Sequence, residues 1–332
     1  MRNILCVTLI ALLGGRTSTS VTEKYQDKRN DIINVKDKVI EFETGNVLIG
    51  SVSRLYMSNK CLLIADHKSV DKQIHIFNKN DFSYLTSIGN FGEGPEEITV
   101  MGCLAIDEAH HQLYVSDHAK QKIFSYDMDS VMVDSLYKPQ VKTAMNETLF
   151  PSEYQYINDT LSIAVLIKPT STSTFNQFLG RWNMNTGEMI PMKYTHPDIQ
   201  KKRITFAASE KAGIYVECYT RHDLMTICSL DGELLYNIYG PDWDGGNGNK
   251  LQSFGTVMIG NDKIFVSYCG EDYARDSFPT KILVFDLEGN YLKTLETGYK
   301  ISDCCYDSFN NRIILSLNDV VQFAYLDIDG II

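Results

Sequence analysis

The chain has 332 residues and a formal net charge of −11, with 44% hydrophobic and 22% charged side chains. Those proportions suit a folded globular protein and exclude a disordered one. The acidic balance argues against a grip on nucleic acid or anionic membrane, because phosphate contacts need a basic surface.

Arg2, the apolar run 4–13 and the small and polar stretch 14–20 read as a secretory signal over residues 1–20. The run is too short to span a bilayer, and no other segment reaches transmembrane length. A lipoprotein signal would place a cysteine after Leu12-Leu13-Gly14-Gly15. Arg16 stands there and Cys6 comes too early, so a lipid anchor is not expected. Residues 21–36 read as a linker. The expected location is exported, periplasmic or associated with the cell envelope.

From residue 37 onward, helical periodicity is nearly absent and short β-rich runs alternate with turns. Val39-Ile40-Glu41-Phe42-Glu43 alternates in the manner of a strand but has no partner of its own. Four-run units follow at 52–89, 101–138, 204–240 and 254–298, with a weaker one at 152–194. In 101–138 the runs are MGCLAID, QLYVSD, KIFSYD and VMVDSL. Turns such as Asp231-Gly232 and Glu288-Gly289-Asn290 supply the positive φ that tight hairpins need. The last unit, 302–332, has only three runs. Six such units predict an all-β fold, a six-bladed β-propeller of four-stranded antiparallel blades over 37–332. A missing strand would leave a sheet edge open. The run at 39–43 is therefore expected to complete the last blade and close the ring. Two stacked β domains are the alternative.

Eight cysteines are present: Cys6 in the leader, then Cys61, Cys103, Cys218, Cys228, Cys269, Cys304 and Cys305. Most sit in apolar runs and read as buried thiols. Cys218 and Cys228 flank a predicted hairpin and form the best candidate bridge. With no C-x-x-C pair, a structural zinc site is not expected.

Residues 88–127 read I-G-N-F-G-E-G-P-E-E-I-T-V, then C-L-A-I-D, L-Y-V-S-D and K-I-F-S-Y-D. This resembles the NHL-type propeller repeat, with its Gly-Pro linker. The whole chain is similar to TolB-like six-bladed propellers exported by gut-type bacteria, many of them lipoproteins. The resemblance covers about 37–332 and is strongest over 52–138. It implies a fold, and a fold does not fix a function.

Glu93-Gly94-Pro95 resembles the Glu-Gly-Pro of calcium-dependent sugar-lactonase propellers, but Glu96 and Glu97 follow it and a plain linker explains it. His67 follows Asp66, His118 follows Asp117, and His222 lies between Arg221 and Asp223, each after the second run of its unit. Such turns share one face of a propeller, where aspartates cap backbone or histidines form a polar rim. A shared metal is not expected, since equivalent turns are spread around a ring. The loop 269–280 carries Arg275, and the loop 240–253 carries Trp243. An exposed tryptophan there could stack on a sugar or anchor a partner. Asp242-Trp243-Asp244-Gly245-Gly246-Asn247 loosely resembles a calcium loop but lacks the downstream glutamate.

The expected function is an exported binding module for a protein or carbohydrate partner, with no cofactor. Its face would bear Trp243, Arg275, Asp66, His67, Asp117, His118, Arg221 and His222. The alternatives are a metal-dependent hydrolase or lyase of the lactonase type, and a structural envelope scaffold.

Overall fold

The computed structural model describes residues 22–134, 136–171, 173–246 and 250–332. The signal expected over 1–20 lies outside them. Among the described residues no helix is long and apolar enough to cross a membrane.

Six antiparallel sheets follow one another as blades of a ring. Their first strands are Ser53–Met57, Met101–Asp107, Phe150–Asn158, Ile204–Ser209, Leu251–Gly260 and Ile301–Asp307, which define blades 1 to 6. Each first strand lines a central channel, and later strands step outward in chain order. Six apolar clusters fill the seams between neighbouring blades, one cluster per seam. The middle strands are buried on both faces, and Cys61–Asp66 and Ile214–Tyr219 are buried along their whole length. Burial of that continuous apolar surface is the main force holding the ring.

The ring closes as the sequence predicts. Strand β3 (Val39–Glu41) is the fourth strand of blade 6, antiparallel to Phe323–Asp327 with Glu41 opposite Ala324. Phe42 then stacks on Phe82 of blade 1 at 3.9 Å and packs on Phe323 of blade 6 at 5.9 Å. One segment thus ties the two ends of the chain across the seam between the last blade and the first.

The segment expected as a linker does more than link. Strands β1 (Glu23–Tyr25) and β2 (Ile32–Asn34) run parallel to the outer strands of blades 4 and 5. Glu23 sits opposite Asn237, and Ile32 opposite Thr294. Both blades therefore have five strands, and their outer edges are covered. Between β1 and β2, Arg29 turns inward and donates to Asp223 at 2.7 Å. The pair is nearly solvent-free, with side-chain exposures of 6% and 0%.

Two local expectations are corrected. The run VMVDSL is not the outer strand of blade 2. Met128–Val133 is a short helix, capped by the Asp127 carboxylate accepting from the Ser130 amide at 2.7 Å. Gln140–Ala144 supplies the outer strand instead. Cys218 and Cys228 are free thiols. Cys218 faces the seam between blades 4 and 5, while Cys228 faces the seam between blades 3 and 4. They lie on opposite faces of one sheet, so no bridge can join them.

Candidate functional site

In each blade the first strand runs from one face of the disc to the other. The turn after the second strand and the connector between blades therefore return to the face where the first strand starts. We call it the upper face. The channel beneath it has a volume of about 800 Å³, within the range of ordinary ligand pockets. Ser51, Val52, Phe278 and Asn318 line its upper end, and Met57, Ile106, Glu108, Ile259 and Tyr306 its lower end.

Four charged side chains line this channel: Arg54, Glu108, Glu153 and Asp303. Arg54 donates through Nη1 to Glu153 Oε1 at 2.8 Å, joining blade 1 to blade 3. Asp303 of blade 6 accepts from Thr256 Oγ1 of blade 5 at 2.6 Å and from the Leu55 amide of blade 1 at 2.8 Å. Burial pushes the Asp303 carboxyl above its ordinary value, while those hydrogen bonds and the Arg54 charge pull it back. Further side-chain bonds link inner strands around the ring. Gln155 Oε1 accepts from the Ala208 amide at 2.7 Å, and Thr205 Oγ1 donates to the Gly255 carbonyl at 2.6 Å.

The eight residues expected at the binding face fall into three groups. His67 and His118 stand beside the upper end of the channel. Their amides donate to the Val52 and Val100 carbonyls, at 3.0 and 2.8 Å, just ahead of the inner strands of blades 1 and 2. His118 Nε2 lies over Gly102, where an added Cβ would come within 2.4 Å of it. Burial lowers the pKa of both imidazoles, and the Arg54 charge lowers both further.

Asp66 and Asp117 are buried, and their carboxylates serve the backbone. Asp66 accepts from the amides of Gly50 at 2.7 Å and Lys68 at 2.9 Å. Asp117 accepts from the amides of Thr99, Val100, Ala119 and Lys120. Each staples a connector to the turn beside it.

Trp243 is not exposed. It is half-buried against the seam of blades 3 and 4, within 5.0 Å of the Tyr239 ring and 6.0 Å of His222. His196 completes the cluster, 5.7 Å from Trp243. The indole fills a seam because its loop folds back over the blade, so it offers no open stacking platform. Arg221 lies over the Tyr273 ring, and Arg275 pairs with Glu271 at 2.8 Å, both on the long turn of blade 5. Trp243, Arg221 and Arg275 are not among the channel-lining residues.

The Glu93-Gly94-Pro95 stretch is a folded connector. Lys120 Nζ donates to the carbonyls of Gly92, Gly94 and Glu97, and the Glu97 carboxylate accepts from the Gly94 amide. On the lower face, Asp107, His110 and Asp159 bring three ligand-type atoms within 4.8 Å of one another. Asp107 already accepts from His110 Nδ1 at 2.8 Å and Tyr114 Oη at 3.0 Å. Asp307 and Asn310 make the same turn in blade 6, so the cluster is a turn motif.

Sequence reasoning missed Arg54, Glu153 and Asp303. The usable signal was a charged residue in the first half of the opening strand of blades 1, 3 and 6.

Comparison with known proteins agrees with this architecture. Residues 17–176 match the DUF5128 family, described as a 6-bladed beta-propeller. The chain is a six-bladed β-propeller. No curated protein matches it. Among solved structures, it resembles a Bacteroides fragilis protein inferred to be exported, at 14% identity and TM-score 0.57, over 89% of this chain and 87% of that one. A Bacteroides vulgatus member of the DUF4221 family gives 11% identity and TM-score 0.57, over 90% and 98%. The Myceliophteria thermophila Cps50 (Swd1) beta-propeller domain gives 10% and 0.55, over 87% and 99%. Likeness at these identities is one of fold.

Proposed function

We propose that this propeller is an exported recognition module that docks a protein partner on its upper face, over blades 5, 6, 1 and 2. One observation carries the reading. Leu48, Val70 and Val320 are 94%, 81% and 99% exposed, on adjoining turns and connectors of blades 6 and 1. Val52, Val100 and Phe278 extend the apolar surface to blades 2 and 5. A run of exposed apolar side chains across consecutive blades marks a protein interaction surface. Sugars are bound by aromatic stacking, and Trp243, the platform expected from the sequence, is packed into a seam. The lower face also exposes apolar side chains, with Tyr84 and Leu85 at that end of blade 1, but its three most exposed are split between blade 6 (Phe309) and blade 2 (Val133, Leu136).

A lactonase-type metal site is less well supported. Such a site needs several carboxylates converging on one cation, but Glu153 is paired with Arg54 and Glu108 lies at the lower end, accepting from the Asn59 amide, which leaves Asp303 alone in the upper channel. The expected leader, the likeness to an exported protein and the TolB- and NHL-like repeat pattern support a place in the cell envelope.

Substituting Val70→Asp and Val320→Asp together tests the reading. Both side chains are solvent-exposed, so the variant keeps the wild-type melting temperature within a few degrees. It is expected to lose retention in the envelope fraction of the producing cell. Unchanged retention of the folded variant would refute the docking face.

A further inference from the structure

The channel under the docking face has a charge imbalance. Three carboxylates line it, Glu153 and Asp303 above and Glu108 at the lower end, against one guanidinium, Arg54, which is already bonded to Glu153. Asp303 is held by uncharged donors, chiefly the Thr256 hydroxyl and the Leu55 amide. With the Cys304 amide of its own strand as a third donor, about one of the four lone-pair sites of the ionised carboxylate remains. The same channel is lined by the aromatic side chains Tyr56, Phe206 and Phe278. Aromatic faces and an unmatched carboxylate are the two features that draw a cation out of water. Asp303 sits on blade 6 and Phe278 on blade 5, inside the sector that carries the exposed aliphatic residues.

Resting on the docking-face reading, we infer that the protein partner inserts one cationic side chain, a lysine or an arginine, into the upper channel, with Asp303 as its anchor. The aliphatic surface then packs around the inserted chain, and the cation fixes orientation and register. The chain's net charge of −11 favours approach of a basic partner.

Capped tripeptides test this with the intact propeller: Leu-Lys-Leu, its norleucine analogue and its glutamate analogue, titrated by calorimetry. The lysine peptide is expected to bind saturably and about tenfold more tightly than the norleucine peptide. Asp303→Asn is expected to erase that difference while leaving norleucine binding unchanged. Should the Asn variant fail to fold, the pH profile of the wild type serves instead. The groups facing Asp303 are Arg54 and Tyr56 of blade 1, Thr256 of blade 5, and Cys304 and Cys305 on its own strand, with Glu153 acting through Arg54. An ammonium needs the ionised carboxylate, so lysine affinity is expected to fall as Asp303 takes up its proton on acidification. Equal binding of lysine and norleucine peptides, tighter binding of the glutamate peptide, or no saturable lysine binding would overturn the inference. Loss of envelope retention in the Val70 and Val320 variant alongside any of those results would leave the docking face standing without the cation.

Discussion

Arg54 of blade 1 reaches Glu153 of blade 3 at 2.8 Å, and the blade between them carries Gly102 at the position matching Arg54. The match follows from the backbone, because Val52 and Val100 each accept from the histidine amide of their own blade two residues earlier. A Cβ at that point would meet His118 Nε2 and Ser116 Oγ of its own blade rather than the charged pair. The glycine lets the histidine turn of blade 2 close onto its own inner strand, beside the pair.

The Arg54–Glu153 pair is half in solvent, with side-chain exposures of 47% and 38%. Its coupling energy is therefore expected at about 0.2–1 kcal/mol, the range of exposed pairs. A double-mutant cycle with Arg54→Ala and Glu153→Ala, followed by urea unfolding, measures it. A coupling several-fold larger would mean that the pair is the main clamp of the ring rather than a bond across a wet channel.

Gly102→Ala has a sharper expected effect. The new methyl would come within 2.5 Å of Ser116 Oγ and 2.4 Å of His118 Nε2. His118 can swing outward, but Ser116 is fully buried and bonded to both the amide and the carbonyl of Cys103. Overpacking of this kind costs about 1–3 kcal/mol. Adding Ser116→Ala is expected to recover part of the loss. A neutral Gly102→Ala would show that the inner strand can shift away from the turn.

Arg29 anchors the amino-terminal strap to Asp223, and both are buried. Removing one partner of a buried pair strands the other charge, at about 3–5 kcal/mol. Burial raises the Asp223 carboxyl above its ordinary value, and Arg29 supplies the main counter-effect. A raised carboxyl contributes stability at low pH and loses it as pH rises through the folded-state value. In Arg29→Ala that value rises further. The variant's deficit is therefore expected to be largest near neutral pH and to shrink on acidification toward 3.8, the ordinary aspartate value. Urea midpoints across that range decide the matter, and a deficit independent of pH would contradict the role given to Asp223.

Ring closure was legible because it depends on counting. The last unit lacked one run, and Val39-Ile40-Glu41 had the alternation of a strand without a partner. The strap strands were not legible. Glu23–Tyr25 and Ile32–Asn34 are three residues each, and they are strands only because finished blades offer them an edge. The helix Met128–Val133 was misread because valines favour strands, yet the Asp127 cap and the burial of Val131 outweigh that preference. At the site, the turn aspartates Asp66 and Asp117 were visible, and their work is the backbone capping weighed for them at the outset. Trp243 was misjudged because its surroundings, His196, His222 and Tyr239, come from turns and strands that only the folded blade brings together.

The most direct test of the docking face is site-resolved photo-crosslinking in the producing cell. Benzoylphenylalanine would replace Val70 or Val320 on the upper face, and Phe309 or Val133 on the lower face, all of them exposed positions. The account predicts one discrete protein adduct of the same added mass from both upper positions, and none of that mass from the lower ones. Adducts from Phe309 and Val133 alone, or equally from both faces, would contradict recognition through blades 5, 6, 1 and 2.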